Sequence, residues 1–308
     1  MRHVLVLSIC IVPLFSQSVS FSLDNDYVFD SDNGYTGGIQ IGWMSDAYEA
    51  AIDNPYVSFL DNTVTTLFPL DKKGKHVNGS ANLQEIIVTP SDTNAREPVY
   101  DDVPYIGALT ANFSYFLWNT KAFEVYRVSV GTVGSYSGAE ELQNGIHDLI
   151  GDGEAKGWDN QLGNYIVLQA GYQKGIREYE ASFTENDSFE WFNSYFLDVG
   201  NMYTGIGAGS TIRYGHNVPK NFVKSGSLLN SSQNDLLNLD TYPYTWGWSV
   251  STGVFVDAIG YFYLMEKAKD LGYDVDTKKM LTRGEFGIDL YQKNYRIALE
   301  LFPVFLKS

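Results

Sequence analysis

The chain has 308 residues, a formal net charge of −16 from 37 acidic residues against 21 Lys and Arg, and 15% aromatic residues. That balance lacks the basic footprint that nucleic-acid binding requires. The single cysteine, Cys10, excludes a disulfide framework.

Met1-Arg2-His3 is a short basic start, Val4 to Phe15 an apolar run, and Ser18-Val19-Ser20 a small-residue cleavage site. This is a secretory signal peptide pattern, and the run is too short to span a bilayer. The expected organisation is a leader over 1–20, which removes Cys10 and with it thiol catalysis, and one domain over 21–308. No later run reaches the ~18 consecutive apolar residues of a membrane helix. An exported chain of this kind is either soluble or an outer-membrane barrel.

Leu23 to Gln40 reads as strand, acid-rich turn and strand, with acids and amides at 24, 25, 26, 30, 32 and 33. Such turns can hold a hard cation such as calcium. The spacing is not that of an EF-hand, and a solvated Asp/Asn/Gly hairpin is equally consistent with it.

Alternation separates the two destinations. Leu109, Ala111, Phe113, Tyr115 and Leu117 oppose Thr110, Asn112 and Ser114. Ile206, Ala208, Ile212 and Tyr214 oppose Gly205, Gly207, Gly209, Thr211 and Arg213, and Ile288 and Leu290 oppose Asp289. A soluble sandwich would carry many charges on its polar face. Here that face is small and rich in Gly, Ser and Thr, which suits a filled or narrow lumen, with Tyr and Trp near the ends of the apolar face. The reading is all-β: an antiparallel up-and-down transmembrane β-barrel. Strands are expected near 19–29, 34–45, 82–90, 104–118, 122–134, 160–182, 187–199, 203–215, 244–263, 278–292 and 294–306. A single bacterial chain should have an even number of them. Either two strands are merged within 244–268 or one is missing at the end, and about 12 are expected.

Residues 46–80 and 216–243 are long connections with little alternation. Residues 135–151 are helical in pattern: Ser137 and Glu140 have the spacing of a capping box, Leu142, Ile146, Leu149 and Ile150 form an apolar face, and Gly151 and Gly153 end it. Of the four histidines, His3 lies in the leader, His76 and His216 in long loops, and His147 on the flank of this helix.

Asn25-Asp26, Gly34-Tyr35-Thr36-Gly37-Gly38, Val88-Thr89-Pro90-Ser91-Asp92 and Asp102 to Gly107 come in that order. Gly131-Thr132-Val133-Gly134, Glu141 to His147 and Gly157-Trp158-Asp159-Asn160-Gln161-Leu162 follow. This series resembles the outer-membrane lipid A 3′-O-deacylases of the LpxR type, over almost the whole chain after the leader. The resemblance implies a twelve-stranded barrel with a helical extracellular loop. It also implies hydrolysis, with calcium, of the 3′-linked acyloxyacyl ester of lipid A in lipopolysaccharide, by a site between wall and helix. Carried over, Asn25, Thr36 and His147 would be catalytic, with His147 the general base. Asp26 would place the calcium, and Arg96 would bind substrate. Where the family has Asp-Arg-Pro this chain has Asp102-Val103-Pro104, and Asp152 and Glu154 both stand near its supporting carboxylate. The expected protein is an outer-membrane monomer. The other reading is a non-catalytic barrel serving as a pore or adhesion surface, which has no need to bring positions 25, 26, 36 and 147 together.

Overall fold

The computed structural model describes residues 5–11, 17–25, 37–49, 52–151, 153–226, 233–275, 278–293, 295–302 and 304–305. Its strands are β1 (Leu5–Ile11), β2 (Ser18–Asn25), β3 (Gly37–Met44), β4 (His76–Val88), β5 (Ile106–Trp118), β6 (Ala122–Val133), β7 (Tyr165–Ser182), β8 (Asp187–Gly200), β9 (Tyr203–His216), β10 (Gly247–Phe262), β11 (Met280–Gln292), β12 (Tyr295–Leu301) and β13 (Val304–Phe305). The helices are α1 (Pro55–Leu67), α2 (Ala139–Ile150) and α3 (Tyr263–Asp270). From β1 to β12 each strand pairs antiparallel with the next, and β12 pairs back to β1. The ring is closed, and β13 continues β12 along β11. Closure satisfies the backbone of every wall strand, the condition for a sheet in lipid.

Each of the eleven stretches expected as a strand contains one among its described residues. Gly247–Phe262 is a single strand running into α3, so nothing was merged there. The twelfth wall strand is instead Leu5–Ile11, inside the expected leader over 1–20. It is in register with β2 on one side and β12 on the other. Position 7 lies in line with Leu23 and Leu299, and position 9 with Phe21 and Ile297, which are all exposed on the outer face. In this structure residues 5–11 form part of the wall. An apolar run broken by Ser8 and Cys10 fits a leader and an alternating strand equally well.

Burial follows the alternation. Ile206 and Leu290 are 58% and 55% exposed, whereas Arg213 and Asp289 are 2% and 6% exposed. The lumen is filled. The connection from β9 to β10 turns inward, where Phe222, Leu236 and Leu237 pack with Phe116, Trp118, Phe123 and Phe192. Asn221 accepts from Arg213 at 2.7 Å, Gln173 donates to the Ser225 carbonyl at 2.8 Å, and Lys224 lies 3.2 Å from Glu300. Arg296 pairs with both Asp235 of this insert and Asp289 of the wall. At the other end Leu264 of α3 closes over Ile86, Val88, Ile106, Val133 and Met202. The small inner residues seen in the sequence make room for the insert.

Candidate active site

Strand direction places α2, the connection 89–105, the end of β2 and the start of β3 at one end of the barrel. There α2 lies on the outside of the wall. The outward row at that rim runs from position 25 through Gly37 and Ile87 to Gly107. A Cβ on Gly107 would stand 2.2 Å from Ser137 Oγ and 2.5 Å from the Ala139 Cβ. Only glycine lets the helix come this close. Ala139 and Leu142 pack there with Ile87, Tyr105, Ala155 and Trp158.

The helix begins one residue later than the expected capping box, which had Ser137 as its N-cap. Its N-cap is Gly138, at φ 78°, a left-handed conformation that glycine takes without strain. Ser137 closes a preceding 3-10 turn, and its hydroxyl oxygen accepts from the Ala139 N–H at 3.2 Å. The same side chain hydrogen-bonds Glu85, which also accepts from the Ala108 backbone. Glu85 stands on the outer face of β4 between Ile39 and Leu109. It is nevertheless buried, because the turn covers it. The apolar stripe is only partly used: Leu142 meets the wall, but Leu149 is 86% exposed.

His147 sits on the last turn of α2. Gly151, at φ 76°, ends the helix by donating its N–H to the His147 carbonyl. The chain then turns back, and the His147 Nδ1 lies 2.6 Å from the Gly153 carbonyl oxygen. A carbonyl only accepts, so Nδ1 carries the hydrogen, and in the neutral ring Nε2 keeps its lone pair. A backbone carbonyl thus orients the imidazole. Glu154 is exposed, and Asp152 lies outside the described residues.

The returning segment is fastened to the helix and to the β4–β5 loop. Gln143 accepts from Trp158 Nε1 at 2.9 Å, and Asn144 accepts from the Ala155 N–H at 2.9 Å. The Lys156 N–H donates to the Thr93 carbonyl at 2.8 Å, and Asn160 donates to the Arg96 carbonyl at 2.6 Å. Arg96 is therefore held by its backbone with its side chain exposed. Lys156, which sequence reasoning passed over, is exposed on the segment zipped to it; its place directly before the Gly157-Trp158 motif was the available signal. Val103, at the departure from Asp-Arg-Pro, is buried in the apolar cluster at the end of the lumen, away from the outer face that carries α2. Glu140, in the first turn of α2, has its carboxyl pushed up by partial burial and by the charges of Glu141 and Asp159.

β2 ends at Asn25, whose position shares the outward row and rim of α2. Its side chain, and Asp26 and Thr36 altogether, lie outside the described residues. So does the expected convergence of these three with His147. Among the described residues no three of His, Cys, Asp and Glu group as a metal site.

The family model for Outer membrane protein LpxR matches residues 4–302. The solved structure of LpxR from Salmonella typhimurium is similar in fold, with a TM-score of 0.67 over 98% of this chain and 100% of that one, at 16% identity. No curated protein matches. With a family match over nearly its whole length, the chain belongs to the LpxR family of outer membrane proteins.

Proposed function

We propose that this protein is an outer-membrane esterase that hydrolyses the 3′-linked acyloxyacyl ester of lipid A, with His147 as the general base. The observation that carries the reading is the imidazole on the outer wall, its Nδ1 tied to the Gly153 carbonyl at 2.6 Å. The free Nε2 can take a proton from water, the resulting hydroxide attacks the ester carbonyl, and the alkoxide leaves with the proton returned by the ring. Water is the nucleophile, so no serine is needed. Calcium, held by Asp26 with Asn25 and Thr36 near by, would polarise the ester carbonyl and share the oxyanion charge. Arg96 and Lys156 supply positive charge for the phosphates of the substrate, and the exposed Leu149 offers an apolar contact to its chains. A lumen occupied by the β9–β10 connection leaves a pore little to conduct through, which favours this reading over a pore.

The test is mass spectrometry of lipid A from cells with and without the chain, and of lipid A incubated with purified protein. Loss of the acyloxyacyl group is expected with the wild type. His147→Ala should lower the rate by about 10²–10⁴ while keeping a heat-modifiable barrel, and a calcium chelator should abolish turnover. Full activity in the His147 variant would remove the mechanism, and full activity in chelator would remove the cation.

A further inference from the structure

At the end of the barrel opposite α2 a second helix is fixed to the outside of the wall. Val57 and Val64 of α1 pack on Val77, Tyr115 and Leu117. These belong to outward rows, as Gly79 shows: a Cβ there would lie 3.0 Å from the Tyr56 ring and 3.1 Å from Val57. Asn54 caps the helix by accepting from the Tyr56 and Val57 N–H groups at 3.0 and 3.2 Å, and Pro55 opens it. Asp61, the one charged residue of α1, is buried between the Tyr115 hydroxyl at 2.7 Å and Lys72 at 2.9 Å. The helix is thus built onto the barrel with its charge neutralised.

Its other side is unusual for a helix facing water. Phe59 and Leu67 are 66% and 67% exposed, with only Asn62, Thr63 and Thr66 exposed between them, and Phe68 follows at 47%. A water-facing stripe normally carries charges; this one has none. Two observations say what covers it. The surface is continuous with the lipid-facing belt of the same strands, where Leu83 and Phe113 are exposed, and of the neighbouring β6, where Val128 is exposed. After Phe68-Pro69-Leu70 come Asp71, Lys72, Lys73 and Lys75, a stretch with three bases to one acid in a chain with 37 acids against 21 bases. Lys72 and Lys75 pair with Asp61 and Glu124, and Lys73 is exposed.

We propose that α1 is an in-plane membrane helix seated in the phospholipid interface at the rim opposite α2, with Phe59, Leu67 and Phe68 among the acyl chains and Lys73 at the phosphates. An apolar face at that depth with lysine beside it is the arrangement of helices that lie in a bilayer surface. The inference needs only the barrel in a membrane and is independent of any catalysis.

Nitroxide labels on single cysteines measure the depth. Phe59→Cys, Leu67→Cys and Lys73→Cys are made in a Cys10→Ser background. Leu83→Cys is the belt reference, and Glu185→Cys, on an exposed turn at the same end, is the water reference. Each is labelled in nanodiscs of phosphatidylethanolamine and phosphatidylglycerol, and its accessibility to oxygen is compared with that to a nickel chelate. Labels at 59 and 67 should show an oxygen-to-nickel ratio several-fold above that of 185 and near that of 83, with 73 between. Should Cys10→Ser fail to fold, the same cysteines go into the native background and the signal of the unsubstituted protein is subtracted. Ratios at 59 and 67 nearer to that of 185 than to that of 83 would overturn the proposal.

Discussion

At the scale of single residues, the site's chemistry turns on what holds an imidazole. The sequence placed His147 on a helix flank, and only the family resemblance made it the candidate base. It offered Asp152 or Glu154 as the group behind the ring. The described partner is the Gly153 carbonyl, which no side-chain pattern could announce, because a backbone acceptor is supplied by any residue where the chain turns back. Glu85 was invisible for a related reason: alternation placed it among lipid-facing positions, and only the turn at Ser137 covers it. Glu140 carries a pH dependence. Its carboxyl is raised by burial first and by Glu141 and Asp159 next, so the docked helix holds the proton more tightly than the free segment. The contribution to docking is therefore full below the ordinary glutamate range and is lost as pH rises through the raised value. Hydrogen-exchange protection of the α2 amides, corrected for intrinsic rates, should fall across that window in the wild type. Glu140→Gln should make it flat; an unchanged slope would refute this.

At the scale of elements, the wall strands from β2 to β12 were the legible part, since a period of two runs through them, whereas the apolar run of β1 read as a leader. Of the three helices only α2 was legible. The stretch that forms α1 has its signals, Asn54 before Pro55, but its valines and threonines are weak helix formers, and packing on the wall decides. α3 continues β10 with no polar break and so read as more strand. The start of α2 was misplaced because Ser137 and Glu140 have capping-box spacing, while Gly134 and Gly138 at positive φ force a separate turn first. The seating of α2 depends on the bare backbone of Gly107. Gly107→Ala should push Ser137 and Ala139 outward, an overpacking of about 1–3 kcal/mol that the loosely held helix, not the strand ladder, absorbs. The expected outcome is a barrel with unaltered heat-modifiability and a large loss of deacylation. Equal activity in the variant would mean that α2 need not lie where it does.

At the scale of the whole molecule, the small inner face pointed to a filled or narrow lumen, but what fills it could not be read from a connection without periodicity. The insert is locked by buried charges. Arg296 alone meets Asp235, Asp289 at 2.6 Å and Glu300 at 3.5 Å. Removing one partner from a buried ionic group costs about 3–5 kcal/mol, because the others remain in low dielectric uncompensated. Arg296→Met should therefore lower the thermal midpoint and let the insert leave the lumen, seen as ion conductance in planar bilayers where the wild type is silent. A silent variant with an unchanged midpoint would show that the insert is held elsewhere. The strand that completes the ring has a consequence in time. Most wall contacts join neighbours in sequence and can form as each hairpin appears, but residue 5 meets residue 301, so this seam joins the two ends of the chain. Such a contact forms late, after nearly the whole chain entropy has been surrendered. Until then two strand edges stand open, and assembly is exposed to mispairing with other chains for as long as that last step takes.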